Sequence, residues 1–140
     1  NGPDCDGLPA RARPGCPAPD APQGNGWLLD RLGGGFQLLC IGCEGRTLDV
    51  DGIAVETVTP AVNDAIRERY LGSAPAAVYL IRPDQHVAAR WLAFDADAVR
   101  ALVGATGFFS AAEVAIAHGR KVAVVVPTLQ TEIETTLILA

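Results

Sequence analysis

Methionine is absent from this chain of 140 residues, so Asn1 is not an initiator. The polar first residues have the character of an interdomain linker, and the sequence reads as a piece of a longer chain rather than as a processed product. Aromatic residues are scarce, at 6%, and charge is modest, with 16 Asp and Glu against 11 Lys and Arg for a formal net charge of -5. An acidic chain without Lys/Arg clusters lacks the electrostatic footprint of a nucleic-acid or anionic-membrane binder. The longest apolar run, around Val122 to Val126, is far too short to span a bilayer. The Pro-rich start carries no signal-peptide pattern, and the expected location is cytoplasmic.

About half of the residues, 49%, are apolar, and the length suffices for one domain with a real core. There are four cysteines, Cys5, Cys16, Cys40 and Cys43. Buried or incidental thiols are the plain reading; two disulfides in a secreted binding module, Cys5–Cys16 and Cys40–Cys43, are the alternative. A zinc site is not expected, because only Cys40 and Cys43 have ligand spacing.

The chain divides into a Pro-rich arm or linker (1–23), a domain (24–107) and a C-terminal extension (108–140). Six prolines between Pro3 and Pro22 exclude helix and central strand from the arm, which is expected to lie over a neighbour or to hang loose. Trp27 to Leu32 reads as a short helix or turn, stopped by Gly33-Gly34-Gly35, with Gly33 a left-handed C-cap. These glycines are not expected to bind nucleotide, because a phosphate loop needs a strand before it and a helix after it.

Phe36 to Ile41 is expected to be a strand buried on both faces. Leu48 to Val50 and Ile53 to Val58 flank Asp51-Gly52, a strong hairpin-turn dipeptide. Pro60 to Tyr70 reads as a helix ended by Gly72. The run Ala74 to Leu92 organises the chain: Val78, Leu80 and Ile81 form a β-rich stretch, and Arg82-Pro83-Asp84-Gln85 forms a tight turn. Val87, Ala89 and Trp91 then alternate with His86, Ala88 and Arg90, the period of a half-buried strand. A helix follows, with Asp95 as N-cap, Asp97 in its first turn, and Val99, Leu102 and Val103 as its apolar stripe. Beyond Gly107 a short helix from Ser110 to Ala117 is expected, then β-rich runs at Val122 to Val126 and Thr131 to Leu139, with Pro127 favouring an edge position.

Three segments in order, Pro14 to Pro22, Trp27 to Phe36 and Val78 to Trp91, resemble the C-terminal domain of FAD-dependent aromatic-ring monooxygenases of the phenol hydroxylase and 3-(3-hydroxyphenyl)propionate hydroxylase type. The resemblance covers Arg13 to Thr106. It implies an α/β, thioredoxin-like fold: a central mixed β-sheet with flanking helices, closed by a β-hairpin and then a helix. It further implies a non-catalytic structural and dimerisation role beside upstream FAD and substrate domains, in a homo-oligomer that uses FAD, NAD(P)H and oxygen to hydroxylate a phenolic substrate. The dinucleotide fingerprint and the flavin Gly-Asp motif are absent here, so this chain is expected to hold neither cofactor.

A thioredoxin-like fold draws attention to Cys40-Ile41-Gly42-Cys43, since a redox thioredoxin carries its C-x-x-C after the first central strand. In that alternative, a thiol–disulfide oxidoreductase, Cys40 is the nucleophile and Cys43 the resolving thiol, and Ala74-Pro75 occupies the place of the facing cis-proline. Such a thiolate needs a helix N-terminus. Only about nine residues separate Cys43 from the strand at Ile53, too few for a helix and its return, and Glu44 adds a negative charge. The expectation is therefore two thiols at a strand end. The other candidates read as structural: His86 and His118 as surface or capping residues, Glu44, Asp49, Asp51 and Glu56 as a solvated hairpin face, Arg82 and Asp84 as organisers of their own turn, and Trp27, Phe36 and Trp91 as core or interface.

Overall fold

The computed structural model describes residues 2–104; the helix and β-runs expected after Gly107, and His118, lie outside them. In chain order the strands are β1 (Pro22–Gln23), β2 (Gly26–Trp27), β3 (Gln37–Ile41), β4 (Leu48–Val50), β5 (Ile53–Val58), β6 (Ala77–Ile81) and β7 (Val87–Trp91). Helix α1 starts at Asp64–Ile66 and runs on as a π-helical turn over Arg67–Leu71. Helix α2 occupies 96–104.

Strands β3 to β7 form a five-stranded mixed sheet in the order β4-β5-β3-β6-β7. The central β3 runs parallel to β5 and antiparallel to β6. All five residues of β3 are buried, because both sheet faces are covered. One face carries Leu39, Ile41, Tyr79 and Ile81 against Ile66, Tyr70 and Leu71 of α1. The other carries Leu38, Cys40, Val78 and Leu80 against Val99 and Val103 of α2. Burying each large aliphatic side chain contributes about 1.5–3 kcal/mol, so this doubly covered strand anchors the fold.

Local chemistry explains the boundaries. Asp51 and Gly52 have φ of 53° and 86°, the paired positive values of a tight hairpin turn, and the Gly52 N–H donates to Asp49 Oδ1 at 2.9 Å. The β6–β7 turn closes through the Gln85 N–H to the Arg82 carbonyl at 2.9 Å. Asp95 caps α2, its Oδ1 accepting from the Ala98 N–H at 3.1 Å. Helix α1 starts later than its sequence suggests. Residues 60–63 are extended or irregular, and Asn63 is the cap, its Oδ1 accepting from the Ile66 N–H at 2.9 Å. Gly72, at φ 60°, ends it.

The alternation along β7 breaks once. Ile81 pairs with Val87 but Leu80 pairs with Ala89, so Ala88 is an extra residue, a β-bulge. Val87 therefore joins the α1 face, while Ala89 and Trp91 join the α2 face. The three do not share a face as strict alternation requires, because one inserted residue reverses the parity of everything beyond it.

The Pro-rich arm lies on this same sheet. The Gly15 N–H donates to the Val87 carbonyl at 2.8 Å, the Val87 N–H to the Cys16 carbonyl at 2.9 Å, and the Arg90 N–H to the Pro3 carbonyl at 3.0 Å. Gly2 donates to the carbonyl of the bulged Ala88 at 2.7 Å. The arm thus supplies partners along the outer edge of β7, which otherwise offers unpaired backbone groups. Leu8, Ala12, Ala18 and Ala21 complete the core on the α1 face.

Candidate functional site

Cys40 is the next-to-last residue of the fully buried β3, and Cys43 follows the turn at Gly42. Gly42 has φ 71°, and a Cβ there would sit 2.6 Å from the Pro75 carbonyl oxygen. Only glycine permits that contact, which seats the 41–43 turn against the 74–76 segment leading into β6. A Cβ on Gly45 would lie 2.4 Å from Cys40 Sγ, so the chain folds back over the Cys40 thiol with no room for a side chain. The Cys43 thiol donates weakly to the Ala77 carbonyl at 3.8 Å.

The two thiols differ sharply. Cys40 is 1% exposed, and burial pushes its thiol up to about 11, with the Cys43 sulfur adding to the effect. Cys43 is half-buried; burial raises it too, but the Cys40 thiol and the Ile41 backbone N–H donate to its sulfur and pull the other way. All four cysteines are free thiols.

The structure thus brings Cys40, Cys43 and the Pro75 segment together and leaves two expected elements out. Residues 44–47 are irregular and lead into β4, so no helix starts at Cys43, and no helix dipole lowers either thiol. The described residues contain no cis peptide bond, so Pro75 is trans. Of the two thiols the sequence singled out, with Cys40 as nucleophile, the more accessible one is Cys43.

The remaining candidates serve the fold. His86 Nδ1 lies 3.2 Å from the Asp84 carbonyl oxygen, and Arg82 Nη2 donates to Asp84 Oδ2 at 2.6 Å, both within the β6–β7 turn. Glu44, Asp49, Asp51 and Glu56 are exposed, and among the described residues no group of three or more His, Cys, Asp or Glu converges on a metal-sized site. Two of the three loop glycines spend their amides internally: the Gly33 N–H donates to Gln37 Oε1 at 2.7 Å and the Gly34 N–H to the Pro83 carbonyl at 3.2 Å. Phe36 is core and Trp91 packs at the edge of the α2 face. Trp27, however, is 52% exposed. Its strand pairs only with β1 in a two-stranded ribbon outside the main sheet.

Sequence reasoning passed over a buried polar chain. The Arg90 guanidinium, 5% exposed, bonds Asp4 Oδ1 and the Pro9 carbonyl. Arg90 also interacts electrostatically with the Tyr79 hydroxyl, which donates to the Tyr70 carbonyl, and the Tyr70 hydroxyl donates to the Pro19 carbonyl. The rings of Tyr70 and Tyr79 meet edge-to-face at 5.0 Å. An arginine inside a strand otherwise built from small and apolar residues is the one signal that pointed here.

The class this architecture defines is a mixed α/β domain, with a five-stranded mixed sheet and two helices among the described residues. No helix of the described residues is long and apolar enough to cross a membrane. No family model, curated protein or solved structure matches the chain.

Proposed function

We propose that this chain is a non-catalytic, thioredoxin-like domain of a larger FAD-dependent aromatic hydroxylase, where it packs on the flavin and substrate domains and helps join subunits. The parent reaction would consume NAD(P)H and oxygen to hydroxylate a phenolic substrate, with FAD held entirely upstream. Free thiols fit a reducing, cytoplasmic setting.

One observation carries the reading. The three segments that resemble the monooxygenase domain, far apart in sequence, meet at the β6–β7 turn. Gln85 Nε2 donates to the Leu29 and Leu32 carbonyls, both at 2.9 Å, and the Ala18 N–H donates to the Gln85 carbonyl at 2.8 Å. The resemblance therefore falls on one packed unit and not on scattered matches. Strand order adds support: parallel β3 and β5, then antiparallel β6 and β7, then a helix, is the order of a thioredoxin-like core. Here β4 stands where that core has its first helix.

The test is to express the chain together with the coding sequence contiguous with it upstream. The longer protein should show a bound-flavin spectrum and phenol-stimulated NAD(P)H oxidation, and residues 1–140 alone should show neither. Removing the domain should lower the assembly mass in light scattering while flavin stays bound. An upstream region without flavin, or an assembly indifferent to the truncation, overturns the proposal.

A further inference from the structure

We propose that Cys43 is a surface-reachable thiol that accepts a thiol modification, and that Cys40 resolves it into an intramolecular Cys40–Cys43 disulfide, the two roles running opposite to their order in the usual C-x-x-C. The geometry points there from three sides. Cys43 is half-buried and Cys40 is sealed, so a reagent reaches Cys43 first. Burial raises both thiols, but interaction with Cys40 opposes the rise at Cys43 while interaction with Cys43 adds to the rise at Cys40, which favours the Cys43 thiolate over that of Cys40. Gly45, with no Cβ, closes over the Cys40 sulfur, and Cys43 packs against the same buried cluster that contains Cys40. The inference is independent of the parent enzyme proposed above.

The chemistry is thiol–disulfide exchange with a small-molecule disulfide as oxidant. The Cys43 thiolate attacks one sulfur of the reagent; the reagent S–S bond breaks, and the leaving thiolate carries off the electron pair. Cys40 then gives up its proton and attacks Cys43 Sγ, expelling the second thiolate. The chain loses two protons and two electrons, and the reagent leaves as two thiols. The second step proceeds despite the high thiol value of Cys40, because both residues belong to one packed cluster and the reaction is intramolecular.

The test uses the folded full chain with Cys5→Ser and Cys16→Ser, treated with 5,5′-dithiobis(2-nitrobenzoate) and followed by thiolate release and intact mass. The parent should release two reporter thiolates per chain and end lighter by two hydrogens with no adduct. Cys40→Ser should release one and keep the adduct on Cys43. Cys43→Ser should react at least about tenfold more slowly, since the remaining thiol is buried and protonated. Circular dichroism on each variant separates unfolding from lost reactivity; should Cys40→Ser not fold, Cys40→Ala replaces it. The proposal fails if the parent keeps a mixed disulfide, or if folded Cys43→Ser reacts as fast as the parent.

Discussion

Arg90 reaches back 86 residues to Asp4, its buried guanidinium held by a carboxylate at the start of the chain. The bond fastens the Pro-rich arm over the edge of β7 and across the α1 face. Arg90 holds the Asp4 carboxyl below its usual range. Removing that carboxylate leaves a buried cation short of a partner, at a cost of about 1–3 kcal/mol. Asp4→Ala should therefore lower the urea midpoint, and hydrogen exchange should show faster exchange at Arg90, whose N–H donates to Pro3. Because the Asp4 value is depressed on folding, this contribution is present above the unfolded carboxylate value of 3.8 and is lost as pH falls through the folded one.

Tyr79→Phe isolates the next bond in the chain. It keeps the ring contact with Tyr70 but strips the Tyr70 carbonyl of its donor. A loss of about 1–3 kcal/mol in chemical denaturation is expected. Tyr70→Phe removes a hydroxyl bonded to the arm at Pro19 and should loosen the arm more than the sheet, as read by limited proteolysis.

Alkaline pH should unfold the domain through groups that resist ionising while folded. Burial pushes Cys40 from 9.0 to about 11 and Tyr79 from 10.0 to about 12, and it raises Tyr70 as well. A value raised on folding contributes stability in full below the unfolded value and loses it as pH rises through the folded one. The contribution of these groups should thus be flat below pH 9, then fall by about 1.4 kcal/mol per pH unit for each group protonated only in the folded state. Cys40→Ala, compared with its parent by denaturation at pH 8 and at pH 10.5, should show the shallower decline.

Gly45 and Cys40 should be energetically coupled. Gly45→Ala places a methyl group 2.4 Å from Cys40 Sγ, an overpacking expected to cost about 1–3 kcal/mol. Removing the sulfur in Gly45→Ala/Cys40→Ala should recover part of that loss, a non-additivity measured by a double-mutant cycle. Gly42→Ala has no such remedy, since its neighbour is the Pro75 backbone and its φ is 71°.

Where a residue's consequence is settled by its immediate neighbours, the sequence was readable. Asp51-Gly52 makes a tight turn because two consecutive positive φ angles suit it, and Asp95 caps α2 because its carboxylate reaches the Ala98 amide. The buried character of Gln37–Ile41 followed from an apolar run with glycines on either side. The missing helix after Cys43 followed from counting residues to Ile53. The arm's composition likewise excluded helix and central strand: it holds one 3-10 turn at Ala10–Ala12, and β1 at Pro22–Gln23 pairs only in the small ribbon outside the main sheet.

Long-range geometry was not readable in that way. Nothing in the Pro-rich stretch states that its amides and carbonyls will pair with Val87 and Arg90, because backbone groups carry no sequence label. The bulge at Ala88 put Val87 and Ala89 on opposite faces, and an inserted residue looks like any other until the partner strand is in place. The helix start moved from Pro60 to Asp64 because the Gln23 side chain bonds both the Ala61 amide and its carbonyl, a tertiary contact. Sequence alone determined that Cys40 and Cys43 would stand at a strand end without a helix. Which sulfur is sealed and which is open was decided only by folding, because burial is a property of everything packed around a residue.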